Sequence, residues 1–359
     1  MSPIAELDDA CPAATDGEIA AINLESARRR SWAGFAKDLR RHGVAEQIVE
    51  QERLVAEFLG DLSGLDRLDA LASQVGAVDD SSRAALIQAE VASTLHRFHE
   101  ARRHLARATL MDGPSEAIER QLLTIDQACG VDLERVLTDR QRIAGRSRRP
   151  DDLVPLGAVL ADLKRFSEAD AVYRQAFDKF DGISPFPLAY VCFQLGMLWG
   201  ELAPVPDATV AALWYRRAIA YLPGYVRARV HLAEIYTSQD RPGDTEALLR
   251  PALSSGDPEV PWRLADALIA QERFQEAESQ LEAARLAFEG LLGKHLLAFA
   301  DHAAEFYAAA GNNCRRALEL ARTNINNRPT RRALEQADAI AMKCWRDESD
   351  DAGLPRRGV

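Results

Sequence analysis

Residues 153–177 read LVPLGAVLADLKRFSEADAVYRQAF, and this stretch decides the fold. In its second half, Ala169, Tyr173 and Ala176 follow Phe166 at successive intervals of three, four and three residues. These intervals bring the small and apolar side chains onto one face of an α-helix. Two other segments keep the same intervals: FHEARRHLARA at 98–108 and FQEAESQLEAA at 274–284. The chain therefore contains an internal helical repeat.

The repeat has a period of 34 residues. Ala101 and Ala169 are 68 residues apart, which is two periods, and Ala218 and Ala252 are one period apart. Three further copies continue the series, AALWYRRAIAYLP at 211–223, TEALLRPALSSGDP at 245–258 and GNNCRRALELARTNINNRP at 311–329. A fixed period of this length is typical of stacked repeat units that each pack on their neighbours.

Each unit must bury its apolar face, so we expect two antiparallel helices joined by a tight turn. Small residues on the first helix, such as Gly157, Gly196 and Ala233, let the second helix approach closely. A bulky side chain there would overpack the junction, at a cost of about 1–3 kcal/mol. Proline near a unit boundary stops one helix before the next begins. Larger side chains then fill the space between the helices, at Leu160, Trp199, Tyr236, Leu268 and Tyr307.

These residues resemble the tetratricopeptide repeat (TPR) motif, whose unit has the same length and a similar spacing of small and aromatic residues. The resemblance covers residues 48–331. It implies an all-α fold, a right-handed α-solenoid of about eight TPR-like helix hairpins with N- and C-terminal capping helices. Two departures occur: the turn ELAPVPDAT after Trp199 is about three residues too long, and Arg135 stands where the motif has alanine.

The register also predicts how the chain is divided. We expect a disordered tail, a capping helix that begins behind Asp16, three degenerate units, five clearer units, a second capping helix and a mobile tail. Their ranges are 1–15, 16–43, 48–149, 150–331, 330–345 and 346–359. The single units are expected near 48–81, 82–115, 116–149, 150–183, 189–225, 226–257, 258–290 and 297–331.

Composition limits the function classes. The formal net charge of −11 argues against binding that depends on nucleic-acid phosphates or anionic lipid. No stretch is apolar for long enough to span a membrane, and the N-terminus lacks the pattern of a secretory signal. The five cysteines are far apart with no CxxC spacing, which favours free thiols in a reducing cytoplasm. The arginine-rich, lysine-poor composition indicates a bacterial source.

No signature of a catalytic or phosphate-binding site occurs, so we predict no enzyme, no cofactor and no metal site. His96, His99 and His104 match no zinc spacing, and the first two fall in a turn where we expect them to be solvated. His295 and His302 share a helix face with nearby carboxylates, a weak candidate for metal or proton transfer. The basic segment that starts at Arg28 and continues through Lys37, Arg40 and Arg41 is interpreted as a solvated helix face.

The resemblance to TPR proteins implies that the first helices of the units line a concave groove that binds a protein or peptide. Its ligand-facing positions fall on thirteen residues: Tyr190, Phe193, Gln194, Met197, Arg227, His231, Glu234, Trp262, Arg263, Asp266, Asp301, His302 and Glu305. The Lys and Asn pattern that holds acidic chaperone tails in some family members is missing at these places.

The leading hypothesis is therefore a non-enzymatic scaffold or adaptor that binds another protein or peptide in this groove. Two alternatives stay open at this stage. One is a TPR-type regulator or sensor coupled to transcription or to a signalling peptide, and the other is an accessory subunit of an enzyme complex.

Overall fold

Every regular element that the structure describes is a helix. The computed structural model describes residues 12–147 and 149–351. Within these ranges it contains α-helices and short π and 3-10 segments but no β-strand, which confirms the all-α class. The α-helices are α1 (Gly17–Lys37), α2 (Val44–Leu59), α3 (Ser63–Val78), α4 (Ser82–Thr94), α5 (Phe98–Asp112), α6 (Glu116–Ala128), α7 (Leu133–Ser147), α8 (Pro150–Asp162), α9 (Phe166–Asp178), α10 (Pro185–Met197), α11 (Ala208–Tyr221), α12 (Val226–Ser238), α13 (Pro242–Leu249), α14 (Glu259–Ala270), α15 (Phe274–Ala308), α16 (Cys314–Asn327) and α17 (Arg331–Asp351).

Consecutive helices pair as hairpins, from α2 with α3 through to α15 with α16. Helix α15 belongs to two hairpins, because its backbone leaves the helical region at His295 (φ −132°, ψ 49°). Residues 274–294 pair with α14, and residues 296–308 pair with α16. The result is eight hairpins between the terminal helices α1 and α17, which confirms the predicted solenoid.

The turns inside the hairpins repeat one backbone geometry. Lys164 has a φ of 63°, and the following Arg165 N–H donates to the Leu160 carbonyl at 2.8 Å. This bond satisfies a carbonyl that the end of α8 would otherwise leave unpaired. In three other turns the residue at positive φ is His96, Asp240 or Glu272, and the N–H of the next residue donates to the carbonyl five positions before it. The turn is therefore part of the repeat.

Glycine is required where the two helices of a hairpin cross most closely. A Cβ added to Gly196 would lie 2.4 Å from Cε1 of Tyr215, and one added to Gly157 would lie 2.6 Å from Cε1 of Tyr173. Real Cβ atoms do not approach a ring carbon at such distances, so even alanine would push the tyrosine away. The tyrosines at these crossings are buried in the largest apolar cluster.

The first helices of the hairpins form the inner layer of the solenoid. Helix α2 packs on α4, α4 on α6, and α12 on α14, while successive second helices make no comparable contacts within the described residues. In a curved stack the elements on the inner side lie closest together, so this difference identifies the concave side. We call the surface that these first helices line the inner groove.

The solenoid curves far enough for its early and late hairpins to touch. Arg227 of α12 pairs with Glu57 of α2 at 2.7 Å. Asp66 of α3 accepts from Lys294 at 2.6 Å and lies 2.8 Å from Nε2 of His295. We call these contacts between distant hairpins the seam. The other polar seam contacts are His96 with Leu297 and Asn327, Lys164 with Glu335, and Glu201 with Arg332.

The cysteine interpretation is wrong for two of the five residues. Cys314, the first residue of α16, forms a disulfide with Cys344 of α17, and their Cα atoms are 5.5 Å apart. Sequence spacing gave no sign of this pair, because the packing of α17 on α16 brings the two positions together. Cys129 carries no disulfide, and Cys11 lies outside the described residues.

The chain ends differ in part from the expected tails. Of the tail expected at 1–15, residues 1–11 lie outside the described residues. Thr15 N–H donates to the Ile183 carbonyl at 2.7 Å, and Asp16 caps α1 by accepting from two backbone N–H groups. At the other end α17 runs to Asp351, past the expected limit of 345, and 352–359 lie outside the described residues.

Among the residues that the structure describes, none of the helices combines the length and the apolar character that a bilayer span requires.

The overlong turn after Trp199 begins as a π-helical segment, Leu198–Leu202, that extends α10. The N–H of Ala203, which follows this segment, donates to the Leu198 carbonyl at 2.9 Å, and the Asp207 N–H donates to the Trp199 carbonyl at 2.8 Å. The extra residues are therefore held by backbone hydrogen bonds.

Candidate binding groove

Three of the predicted groove residues lie in the core instead. Phe193, Met197 and Trp262 are 1%, 7% and 2% exposed. The ring of Phe193 packs against Tyr215 and Tyr225, with centroids 5.7 and 5.3 Å apart. These apolar side chains fill the space between neighbouring helices, where burial favours them over a wet groove. Their assignment to a ligand-facing surface is corrected.

Two further predicted residues on α10 lie at the margin of the groove. Tyr190 and Gln194 are half-buried and one helical turn apart. The Tyr190 ring meets the edge of Phe58 across the seam, with centroids 6.1 Å apart. Burial raises the pKa of Tyr190 to about 12, so its hydroxyl stays protonated at neutral pH.

The predicted charged residues of α12 and α14 form a series of ion pairs, which we call the polar row. Arg227 pairs with Glu57 across the seam, and one turn later Nδ1 of His231 lies 2.6 Å from Oε1 of Glu201. Glu234 pairs with Arg263 of the next first helix. Arg263 also lies 3.6 Å from Asp266. Charges therefore alternate along the inner groove, and each sign faces the opposite one.

The row continues on the second part of α15. Nδ1 of His302 lies 2.5 Å from Oε1 of Glu259, at the start of α14. Asp301 pairs with Arg328. The exposed Glu305 accepts from Nε2 of Gln336 in α17 at 2.5 Å. The structure thus brings Arg227, His231, Glu234, Arg263, Asp266, Asp301, His302 and Glu305 onto one surface.

The carboxylates of this surface keep its histidines protonated. Burial alone lowers the pKa of His231, but the charges of Glu201 and Glu234 outweigh it and raise the pKa to about 10. At His302 burial also lowers the pKa, but the charges of Asp301 and Glu259 outweigh it and raise the pKa to about 9. The side chains of Arg227 and His302 are still 36% and 41% exposed, so water reaches these ion pairs and screens them.

Sequence reasoning missed the partners of the predicted residues. Glu57, Glu201, Glu259, Arg328, Arg332 and Gln336 all contribute to the row, and none of them was assigned to the groove. Glu201 had one usable signal, since it lies in the turn that is too long for the motif. Glu57 meets Arg227 only because the solenoid curves, and the remaining partners lie near helix ends or on α17, which the motif does not assign to the groove.

The expected solvation of His96 is wrong. His96 is half-buried at the seam, where Nδ1 lies 3.2 Å from the Leu297 carbonyl and the ring stacks on Phe98. Burial and the nearby Arg328 lower its pKa to about 4. His99 is exposed, and His104 lies 3.6 Å from Glu100.

The weaker predicted candidates have structural partners. His295 is buried at the kink of α15 and contacts Asp66, so it does not join His302 in one site. Arg28 is held by the fully buried carboxylate of Glu52, which also accepts from Trp32 and Arg67.

Two cavities lie away from the groove. The larger, about 510 Å³, is lined by residues of α6 and α7 such as Glu119 and Arg142. The smaller, about 410 Å³, lies at the start of α16 around Arg315. Neither contains a predicted groove residue, and an extended groove is not expected to appear as an enclosed cavity.

No protein-family model matches the chain, and no curated protein matches its sequence. Solved structures are similar to it at low identity. A Rap protein complexed with competence and sporulation factor is 14% identical, with a TM-score of 0.52, and the match covers 89% of this chain and 99% of that one. Yeast Tom70 is 14% identical with a TM-score of 0.33, covering 86% of this chain and 76% of that one. The C-terminal part of a TPR repeat-containing protein from Cytophaga hutchinsonii is 12% identical with a TM-score of 0.33, covering 81% and 97%. At these identities the likeness shows a TPR-type fold alone.

Proposed function

We propose that this chain is a non-catalytic scaffold or adaptor whose inner groove binds a segment of another protein or a peptide. The observation that carries the proposal is the polar row. Eight predicted groove residues contribute to it with charges of both signs, and the side chains of Arg227 and His302 are partly exposed to water. Fixed charges on a curved, preformed surface suit a partner that carries charged side chains of both signs.

Binding would exchange existing ion pairs for new ones. Arg227 and Asp266 each have a partner within the chain, and surface pairs of this kind contribute about 0–1 kcal/mol each. A partner side chain therefore replaces an internal one at little cost. Affinity then depends on how many pairs it forms at once and on how much surface it buries.

Capture of partners from native lysate tests the proposal. The groove variant carries Arg227→Gln and Asp266→Asn, and the matched control carries Arg315→Gln, whose side chain is 90% exposed at the start of α16. We expect the control to capture the same partner as wild type and the groove variant to lose it. Equal capture by all three proteins would reject the groove as the binding surface.

The regulator alternative stays a second candidate. It rested on the basic segment of α1, and Arg28 of that segment is tied to Glu25 and Glu52 inside the protein. Retention of DNA by the protein on a gel, weakening as the salt concentration rises, would support this alternative. The enzyme-accessory alternative predicts an enzyme among the captured partners. Cytoplasmic location and bacterial source stay predictions, and the disulfide removes part of the argument for the first.

A further inference from the structure

Three side chains of the inner groove direct donor atoms at one point. Nδ1 of His231 and one carboxylate oxygen each of Glu201 and Glu234 lie within 4.8 Å of one another. His231 and Glu234 are neighbours on one face of α12, since they are three positions apart in the sequence. Glu201 comes from the π-helical segment after α10. Among the described residues this is the one group of three or more His, Cys, Asp and Glu side chains with that geometry.

The two carboxylates are held so that one oxygen of each stays turned toward the histidine. Oε1 of Glu201 faces Nδ1 at 2.6 Å, while its Oε2 accepts from Arg332 at 3.3 Å. Oε2 of Glu234 faces Nδ1 at 3.4 Å, while its Oε1 accepts from Arg263. Carboxylates that bind metal ions are commonly hydrogen-bonded in this way through their second oxygen, which fixes their orientation.

The histidine nitrogen gives a second, independent indication. Nδ1 of His231 is buried, and although Oε1 of Glu201 lies 2.6 Å from it, no well-directed hydrogen bond reaches it. Its ring is fixed between aromatic neighbours, with centroids 5.3 Å from Phe193 and 5.6 Å from Tyr215. A buried nitrogen without a hydrogen bond is unfavourable. A metal ion located between the nitrogen and the two oxygens would satisfy it, and it would displace the proton that the carboxylates otherwise hold there.

The local backbone agrees with a binding role. The segment that carries Glu201 is π-helical, a rare conformation that is frequent at functional sites. It is also the place where the chain departs from the repeat length, so the repeat itself does not require it.

We propose that Glu201, His231 and Glu234 bind a divalent first-row transition-metal ion in the inner groove. Imidazole suits zinc and its neighbours, and three protein ligands leave further positions open to water or to a partner group. Ligand atoms about 2.1 Å from a tetrahedral ion lie roughly 3.4 Å apart. The Glu234 contact has that spacing, and the Glu201 contact needs to widen by roughly 0.8 Å. Glu201 can make this shift because its side chain is 34% exposed.

The test is titration of the tag-free full chain with Zn²⁺ in competition with a fluorescent chelator. We expect one site per chain and a loss of affinity of at least about 10-fold in both Glu201→Gln and His231→Gln. His99→Gln and Cys129→Ser remove an exposed imidazole and a thiol elsewhere, and we expect both to bind as wild type does. Co²⁺ should give the visible absorption of a nitrogen and oxygen site in wild type and not in the two site variants.

Two outcomes would overturn the proposal: no zinc bound by wild type, or equal zinc bound by wild type and Glu201→Gln. If His231→Gln does not fold, as judged by circular dichroism, the exposed Glu201 position decides the result. The metal site is separable from the proposed function. The Arg227→Gln and Asp266→Asn variant should lose its protein partner while it retains zinc.

Discussion

Acidification should weaken the protein at the seam through His96. Burial and Arg328 lower the pKa of His96 to about 4 in the folded state, whereas an unfolded histidine has a pKa of about 6.5. Between these values the unfolded chain binds more protons than the folded one. The stabilisation is therefore complete above pH 6.5 and is lost as the pH falls toward 4.

The size of the effect follows from the two pKa values. One pKa unit corresponds to about 1.36 kcal/mol, so a change from pH 7 to pH 5 removes about 2 kcal/mol of unfolding free energy through this residue. A folded-state pKa one unit higher would reduce the loss only to about 1.5 kcal/mol.

His96→Asn is the matched variant for this measurement. Asparagine tolerates the positive φ of 55° at this turn better than most residues, and its amide can donate to the Leu297 carbonyl as Nδ1 does. It has no titrating group. Urea unfolding at pH 7, 6 and 5 should show wild type losing about 2 kcal/mol more than the variant. NMR titration should show one imidazole, missing from the variant, with a pKa well below 6.5. Parallel losses in the two proteins, or an ordinary pKa for that imidazole, would refute the reasoning.

Three further predictions concern the fold. Gly196→Ala should destabilise by about 1–3 kcal/mol, because its Cβ would meet Tyr215, whereas Gly243→Ala, with open space around the added Cβ, should unfold as wild type does in urea. Glu52→Gln should lower the free energy of unfolding by about 3 kcal/mol, since it leaves two arginines without their buried carboxylate. The same change at the more exposed Glu25 should cost under about 1 kcal/mol. Similar losses of stability for the two variants in thermal melts would contradict this. Cys344→Ser should lower the free energy of unfolding by about 2–4 kcal/mol, because it removes the disulfide with Cys314. Thermal melting measures this loss, and intact-mass analysis of the wild type with and without reductant detects the disulfide. If reduction of the wild type exposes no new thiols, the pairing is wrong.

The fold was predictable because its determinants are local. The glycine at 157 and the tyrosine at 173 that packs on it belong to one unit, so their spacing reports a single helix crossing. The same spacing recurs along the chain, and each copy supports the others. Fold class and number of hairpins therefore follow from residue types at fixed intervals.

The groove was predictable only in part, because its determinants are not local. Glu57 and Arg227 are 170 residues apart and meet because the solenoid curves back on itself. A repeat register gives each residue a place within its unit but does not give the curvature of the stack. For the same reason it could not distinguish Trp262, which is buried against Phe306, from Arg263 and Asp266, which are only half-buried.

Photo-crosslinking at two positions of the eighth hairpin is the most direct test of whether the inner groove binds a partner. Benzoylphenylalanine would replace either Glu305, exposed on the inner side of the eighth hairpin, or Arg315, exposed at the start of α16. On irradiation in the source cells we expect a covalent adduct with one partner protein from position 305 and none from position 315. An adduct from position 315 alone would contradict the groove and place the partner elsewhere on the solenoid.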